Sequence, residues 1–244
     1  MTNLPIFDTM PGPLPPPIDK MTAHLCLRYD SLVSAPVSSR FDPDFAPSQA
    51  QRVASGGRAA AWFIQIESLE GVLRHFRRGG LLARLVRERY FWTGLARTRS
   101  FAEFDLLRRM WQAGLPVPRP LGAAVWRTGF TYRAALLTLR IPDAQPLARC
   151  LEPAVWFRAG QAIAQMHRFE VWHADLNVFN LLVDRQNKVW IIDLDRGRSG
   201  SLTAAQCAEN LSRLLRSVRK VVPEVETTCW ASLKEGYQAL ANNI

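Results

Sequence analysis

The sequence predicts an α+β fold, with a small antiparallel sheet carrying one helix ahead of a mainly helical half. Three observations predict it. Through the first 140 residues short apolar runs with strand character recur between turn signals, as at Ala123–Arg127 and Thr131–Leu139. One helical pattern interrupts them, Ser100–Gly114. From Pro153 onward the apolar residues instead recur at helical spacing, as in Ala154, Phe157, Ala162, Ile163 and Met166. At 244 residues the chain is long enough for one large domain or for two lobes sharing a cleft. The change of pattern divides it into a tail at 1–20, a first lobe at 21–140 and a second at 141–244.

The elements follow in order. Residues 1–20 hold Pro5, Pro11, Pro13, Pro15, Pro16 and Pro17, a density that favours extended backbone without a packed core. Ala23–Tyr29 reads as a first strand and Phe41–Phe45 as a turn. Gly56 and Gly57 mark a turn into the apolar strand ending near Ile64, and Glu67–Gly71 a second turn into the strand Val72–Arg78. In Ser100–Gly114 the pair Ser100 and Glu103 has the spacing of a capping box, and Gly114 with Pro116 ends the helix. Leu115–Gly122 is extended. Helices are expected at Pro153–Glu170, at Asn210–Val222 and over the last stretch to Ile244. Leu211, Leu214, Leu215 and Val218 share one face of the second of these, with Arg213, Arg216 and Lys220 around the other.

Composition narrows the class. With 48% hydrophobic and 21% charged residues the chain is an ordinary globular one, yet its formal net charge is +10. That excess, mostly arginine, calls for an anionic partner. Eight arginines (Arg74, Arg77, Arg78, Arg84, Arg87, Arg89, Arg97 and Arg99) stand against the single acid Glu88 between 74 and 99, interleaved with leucines and aromatic residues. Such a segment suits an anionic, amphiphilic surface. Nucleic acid is not expected, because no recognition helix or RNA-binding motif accompanies the charge. Cys26, Cys150, Cys207 and Cys229 form no C-x-x-C pair, so neither a zinc site nor a redox motif is indicated. No apolar run approaches the roughly 20 residues that span a bilayer, and the amino terminus has no secretory pattern, so a cytoplasmic protein is expected.

The chemistry is concentrated in His173-Ala174-Asp175-Leu176-Asn177-Val178-Phe179-Asn180 and in the Asp193 that closes the apolar run Val189–Ile192. Asn180 lies five residues after Asp175, and Asp193 thirteen after Asn180. The intervening strand, polar turn and strand should fold Asp193 back beside Asn180. Asn180 and Asp193 are hard oxygen donors of the kind that Mg²⁺ accepts while it keeps water and phosphate oxygens. Asp175, with no cation of its own, is free to accept the proton of an attacking hydroxyl. The order H-x-D-x-x-x-x-N, then an aspartate after a strand, points to phosphoryl transfer.

These residues resemble the eukaryotic-type kinase fold, two-lobed, with a small antiparallel sheet lobe and a mainly helical lobe. Asp-Leu-Asp at 193–195 replaces Asp-Phe-Gly and leans toward small-molecule or glycolipid kinases. Taken with Val189–Arg196 and Asn210–Ser217, the chain closely resembles the bacterial 3-deoxy-D-manno-octulosonic acid (Kdo) kinases. The resemblance implies ATP and Mg²⁺, a sugar hydroxyl as acceptor with Asp175 as its base, and Asn180 and Asp193 as metal ligands. It puts Gly56 and Gly57 over the nucleotide phosphates. Arg74 stands where kinases keep a lysine, and Glu103 where they keep its helix partner; for Glu103 two roles stay open, partner of Arg74 or helix cap. His173 would hold the loop, and Arg140–Pro142 would be the hinge. For Asn177, holding Asp175 or meeting the transferred phosphate are both open.

The implied acceptor is Kdo on a lipid A precursor, modified at the 4-hydroxyl. The implied place is the cytoplasmic side of the bacterial inner membrane, held peripherally by its anionic surface. The rival readings are a kinase of lipopolysaccharide heptose or of a small sugar or aminoglycoside-like acceptor, and a non-catalytic kinase-fold protein that binds glycolipid. Oligomeric state is not fixed by the sequence.

Overall fold

The computed structural model describes residues 13–33, 41, 51–52, 61–66, 68–76 and 89–241. Gly56 and Gly57, the start of the proline-rich segment, and Arg77, Arg78, Arg84 and Arg87 lie outside the described residues. The chain divides into two compact units. Pro15–Arg108 with Arg119–Arg140 makes a sheet unit, and Arg109–Pro118 joins residues from Ile141 onward in a helical unit.

The sheet unit is built from β1 (Ile18–Met21), β2 (Leu25–Tyr29), β3 (Gln51–Arg52), β4 (Ala61–Ile66), β5 (Leu69–His75), β6 (Tyr90–Phe91), β7 (Pro120–Thr128) and β8 (Thr131–Leu139). All neighbours are antiparallel, in the order β1-β2-β7-β8-β5-β4-β3, with β6 on β8. The central strands β7 and β8 are apolar on both faces: Leu121, Ala123, Ala124, Val125, Ala135 and Leu137 are all fully buried. Helix α1 (Arg99–Gln112) buries Phe101, Phe104 and Leu107. It is tied to the sheet by the Ser100 hydroxyl, which donates to the Ala124 carbonyl at 3.0 Å.

Strand β1 begins inside the segment read from sequence as a proline-rich tail. Its four residues are exposed, and it holds its place by pairing with β2 and by the Arg28 guanidinium, which forks onto Asp19 at 2.7–2.8 Å and also reaches Asp105 of α1. The capping box expected at Ser100 is not there either. The helix starts one residue earlier, at Arg99, so Ser100 lies inside it. A second anchor is the fully buried Asp30, whose carboxylate meets Arg119 at 2.9 Å and Arg108 at 3.6 Å. A buried charge with two cationic partners avoids the penalty of a lone one.

The helical unit carries α2 (Pro153–Arg168), α3 (Ala204–Val221) and α4 (Cys229–Ala241), with the short strands β9 (Gln145–Pro146), β10 (Val171–Trp172), β11 (Leu181–Val183), β12 (Val189–Ile191) and β13 (Arg198–Ser199). Helix α3 starts six residues earlier than expected, because Thr203 and Gln206 form a reciprocal capping box. The hairpin β11–β12 has the expected register, Leu181 opposite Ile191 and Val183 opposite Val189. Its turn is shaped by Asp184, whose carboxylate accepts from the backbone of Gln186 and Lys188 and from the Trp190 indole. All four cysteines are free thiols, and among the described residues no helix is long and apolar enough to cross a membrane.

The helical core rests on an approach of α2 to α4 that only glycine permits. A Cβ on Gly160 would run into the Leu233 carbonyl oxygen and meet the Tyr237 nitrogen at 2.6 Å, and one on Gly236 would run into the Phe157 carbonyl. Gly160→Ala should therefore destabilise the protein by about 2–3 kcal/mol, since overpacking against backbone cannot be relieved by a side-chain rotation. For a chain of this size that corresponds to roughly 4–12 °C in Tm. Differential scanning calorimetry checks it, and an unchanged Tm would mean that the two helices are free to separate.

Candidate active site

The loop between β10 and β11 is built around a fully buried histidine, His173. Its Nδ1 accepts the backbone N–H of Asp175 at 3.0 Å, so Nε2 must carry the proton that it donates to the Ile192 carbonyl at 3.0 Å. The ring is thus neutral, and burial pushes its pKa below the ordinary histidine value. One side chain thereby ties residue 175 of the loop to residue 192 of the segment after β12.

Helix α3 holds the same loop from a second side. The buried Asn210 amide clasps both backbone groups of His173: Oδ1 accepts its N–H at 3.1 Å and Nδ2 donates to its carbonyl at 2.8 Å. His167 Nε2 donates to the same Oδ1 at 3.1 Å, which leaves Nδ1 to accept from the Tyr237 hydroxyl at 2.8 Å. One helical face further on, Ser217 Oγ accepts from the Val178 N–H at 3.3 Å. Between these two, Arg213 places Nη1 4.0 Å from the Asp175 carboxylate. Residues 210, 213 and 217 fall on one side of the helix.

Within that frame the sequence-derived residues fall as follows. The Asp175 side chain is exposed, at 68% of its full accessibility. Its backbone carbonyl accepts from Asn180 Nδ2 at 2.9 Å and from Asn177 Nδ2 at 3.0 Å, and Asn177 Oδ1 in turn accepts from the Phe179 N–H. Of the two roles open for Asn177, this geometry supplies the first: it shapes the loop at Asp175. Asn180 is nearly buried, and its carbonyl accepts from Ile192, the residue before Asp193. Asn180 and Asp193 therefore sit at one junction of the backbone. Asp193 adopts a left-handed φ of 59°, which turns the chain out of the line of β12 at a cost of roughly 1–3 kcal/mol.

The donor set fits a hard dication. Asn180 spends its amide N–H on the Asp175 carbonyl, which leaves its oxygen available as a ligand, and Asp193 follows the residue whose N–H bonds the Asn180 backbone carbonyl. Among the described residues no group of three or more His, Cys, Asp and Glu side chains could form a metal site by itself. Two protein oxygens completed by water and phosphate are the ordinary arrangement for Mg²⁺.

In the sheet unit, Arg74 lies on β5 between Ala61 and Leu136. Its Nη2 meets the Glu103 carboxylate of α1 at 2.5 Å, and its guanidinium stacks on Phe76 at 4.6 Å. Of the two roles open for Glu103, partner of Arg74 is the one the structure displays. The neighbouring His75 points the other way, buried, with Nε2 on the Phe41 carbonyl. Gly56 and Gly57 fall outside the described residues. Sequence reasoning passed over Asn210, Arg213 and Ser217 as individual contacts, because an amphipathic helix announces a buried face but not which polar residues end up on it.

A carboxylate presented on a histidine-locked loop, an asparagine five residues on, and an aspartate at the end of a hairpin define a kinase catalytic loop. Comparison with known proteins gives the particular family. The family model described as Lipopolysaccharide kinase (Kdo/WaaP) family matches residues 44–237. A 3-deoxy-D-manno-octulosonic acid kinase of Stenotrophomonas maltophilia (strain R551-3) is 46% identical over 185 residues, 74% of each chain. One of Xylella fastidiosa (strain 9a5c) is 43% identical over the same length and shares, and one of Vibrio vulnificus (strain YJ016) is 42% identical over 199 residues, 79% of this chain and 84% of its own. The chain belongs to the Kdo/WaaP lipopolysaccharide kinase family and is a phosphotransferase, and its kinase nature implies ATP as donor.

The buried histidines set a pH dependence. Burial lowers the pKa of both His167 and His173, so the folded protein holds them neutral while the unfolded chain protonates near the ordinary value of 6.5. The unfolded state then binds more protons, and stability, full above about pH 6.5, falls as the pH drops below it. Thermal unfolding between pH 7.5 and 5.5 should show Tm declining over that window. His167→Gln should make the decline shallower; an equally steep decline in that variant would remove His167 from the account.

Proposed function

We propose that this protein transfers the γ-phosphoryl group of ATP to the 4-hydroxyl of a Kdo residue on a lipid A precursor. The observation that carries the reading is the loop itself: an exposed Asp175 carboxylate on a backbone locked by His173, Asn180 and Asn210. The names of the relatives, all Kdo kinases, support the sugar. Asp175 takes the proton of the sugar hydroxyl as its oxygen attacks phosphorus; the bond from the γ-phosphorus to the β,γ-bridging oxygen breaks, and ADP leaves with that oxygen. Asn180 and Asp193 would hold Mg²⁺, which when bound neutralises phosphate charge. Arg74, fixed by Glu103, offers the nucleotide phosphates a permanent charge and two donors in place of a lysine.

The test is transfer from γ-labelled ATP to purified Kdo-bearing lipid A precursor with Mg²⁺, the product position being read by phosphorus–proton NMR correlation. Asp175→Ala should lower turnover by about 10²-fold or more while nucleotide still binds. Equal activity in that variant would overturn the base assignment, and transfer to a heptose instead of Kdo would overturn the acceptor.

We infer further that the enzyme works on the cytoplasmic face of the inner membrane, docked on anionic phospholipid. The support is a pair of rings in the sheet unit. Phe130, at the tip of the β7–β8 hairpin, is 88% exposed, and Phe91 on the adjoining β6 is 72% exposed. Arg89 reaches Thr131 beside them, and Arg127 lies over the Trp92 ring and donates to the Gly129 carbonyl. Aromatic rings bordered by guanidinium groups suit an interface, where each basic residue adds on the order of 1 kcal/mol. Phe91→Ser with Phe130→Ser should abolish sedimentation with phosphatidylglycerol vesicles at moderate salt and leave transfer to detergent-dispersed acceptor unchanged. Sedimentation equal to wild type would overturn the docking surface.

A further inference from the structure

Arg213 is unaccounted for by the kinase frame. Its guanidinium sits 3.6 Å from the Glu209 carboxylate and 4.0 Å from that of Asp175, beyond hydrogen-bond range of both, and Nε is buried with no acceptor among the described residues. Helix α3 is otherwise economical on this side: Asn210 and Ser217 each spend their polar atoms on the loop. A side chain whose Nη donors make only these long ion pairs and no hydrogen bond, beside the carboxylate that would meet the acceptor, is arranged for a ligand. The ligand it suits is a planar anion, because the guanidinium fork matches a carboxylate through two parallel bonds.

The acceptor in the proposed function is a sugar acid, and its carboxylate lies on the same ring as the hydroxyl, only a few bond lengths away. A hydroxyl at Asp175 would bring that carboxylate to Arg213. A neutral sugar would leave the partly desolvated cation with only its long pairs to Glu209 and Asp175 and no hydrogen-bond acceptor.

We propose that Arg213 is the receptor for the acceptor's carboxylate, and that through it the site selects a sugar acid over neutral sugars. This rests on the sugar-acid reading of the site. The acid would gain a bidentate pair at a position fixed relative to Asp175, so the same contact both binds the ring and chooses which hydroxyl faces the base.

The experiment compares the Kdo-bearing acceptor with its carboxamide, in wild type, Arg213→Gln and Arg213→Lys, with ATP saturating and then varied. In the wild type the carboxamide should show an acceptor KM about tenfold or more above that of the acid, with the KM for ATP unmoved. Arg213→Gln should bring the acid to the carboxamide's KM and abolish the discrimination, and Arg213→Lys should keep part of it, since a point charge lacks the fork. Equal use of acid and carboxamide by the wild type overturns the proposal, and this comparison stands even if the variants fold poorly. A fall in kcat that is the same for both acceptors, with acceptor KM unchanged, overturns it in favour of Arg213 positioning Asp175. Transfer by the wild type to neither acceptor, with transfer to a heptose, overturns the sugar-acid reading and this assignment with it.

Discussion

The clasp of Asn210 on His173 is the interaction on which the site depends. A loop has no ladder of its own to satisfy its backbone, and the peptide groups of a buried residue must be paired or pay for desolvation. Asn210 settles both groups of His173 with one amide, and the histidine ring then passes the order on to Asp175 and Ile192. His167 and Tyr237 fix the amide's orientation from behind, so that side chains from α2, α3 and α4 all bear on one residue. The Asp175 carboxylate itself takes none of these hydrogen bonds. It stays exposed because the backbone beneath it is rigid.

The parts of this candidate site that the sequence proposes are those where phosphoryl-transfer chemistry would require particular residues at fixed spacing along one stretch of chain. Asp175, Asn180 and Asp193 belong to that class, as does the β11–β12 hairpin, whose alternation and polar turn are local. What could not be read depends on tertiary company. Strand β1 follows a run of prolines and has no buried face; it exists because β2 offers it an edge and Arg28 a charge. Ser100 and Glu103 had the spacing of a cap, yet the sheet claims Ser100 and Arg74 claims Glu103. Thr203 and Gln206 had the same spacing and do form the cap. Spacing alone does not distinguish the two; the difference is what lies across from each side chain. Gly160 and Gly236 are silent for the same reason, since their small size matters only where another backbone passes.

In the proposed function, Arg74 in place of a lysine would change the character of the phosphate contact. A lysine ammonium is a compact point charge on a flexible stem, and it adapts to its target by rotation. Arg74 is pinned at both ends of its guanidinium, by the Glu103 carboxylate and by the face of Phe76, and only 16% of its side chain is exposed. Its direction is therefore set before any ligand arrives. What it loses in adaptability it regains as a planar donor array that does not have to be ordered on binding.

The same distinction explains the uneven use of arginine across the chain. A net charge of +10 invites the idea of one broad basic surface, but many of the described arginines are engaged inside the fold. Arg28, Arg108 and Arg119 pair with buried or half-buried acids, Arg74 with Glu103, and Arg99 stacks on Tyr90. Where the partner is a carboxylate, the charge is neutralised locally and adds little to a long-range field. Among the arginines that remain are Arg89 and Arg127 around the exposed rings, and Arg213 near the Asp175 carboxylate. Charge at the first place would govern where the enzyme docks, and at the second which sugar it accepts. The two can change independently, because no described residue belongs to both.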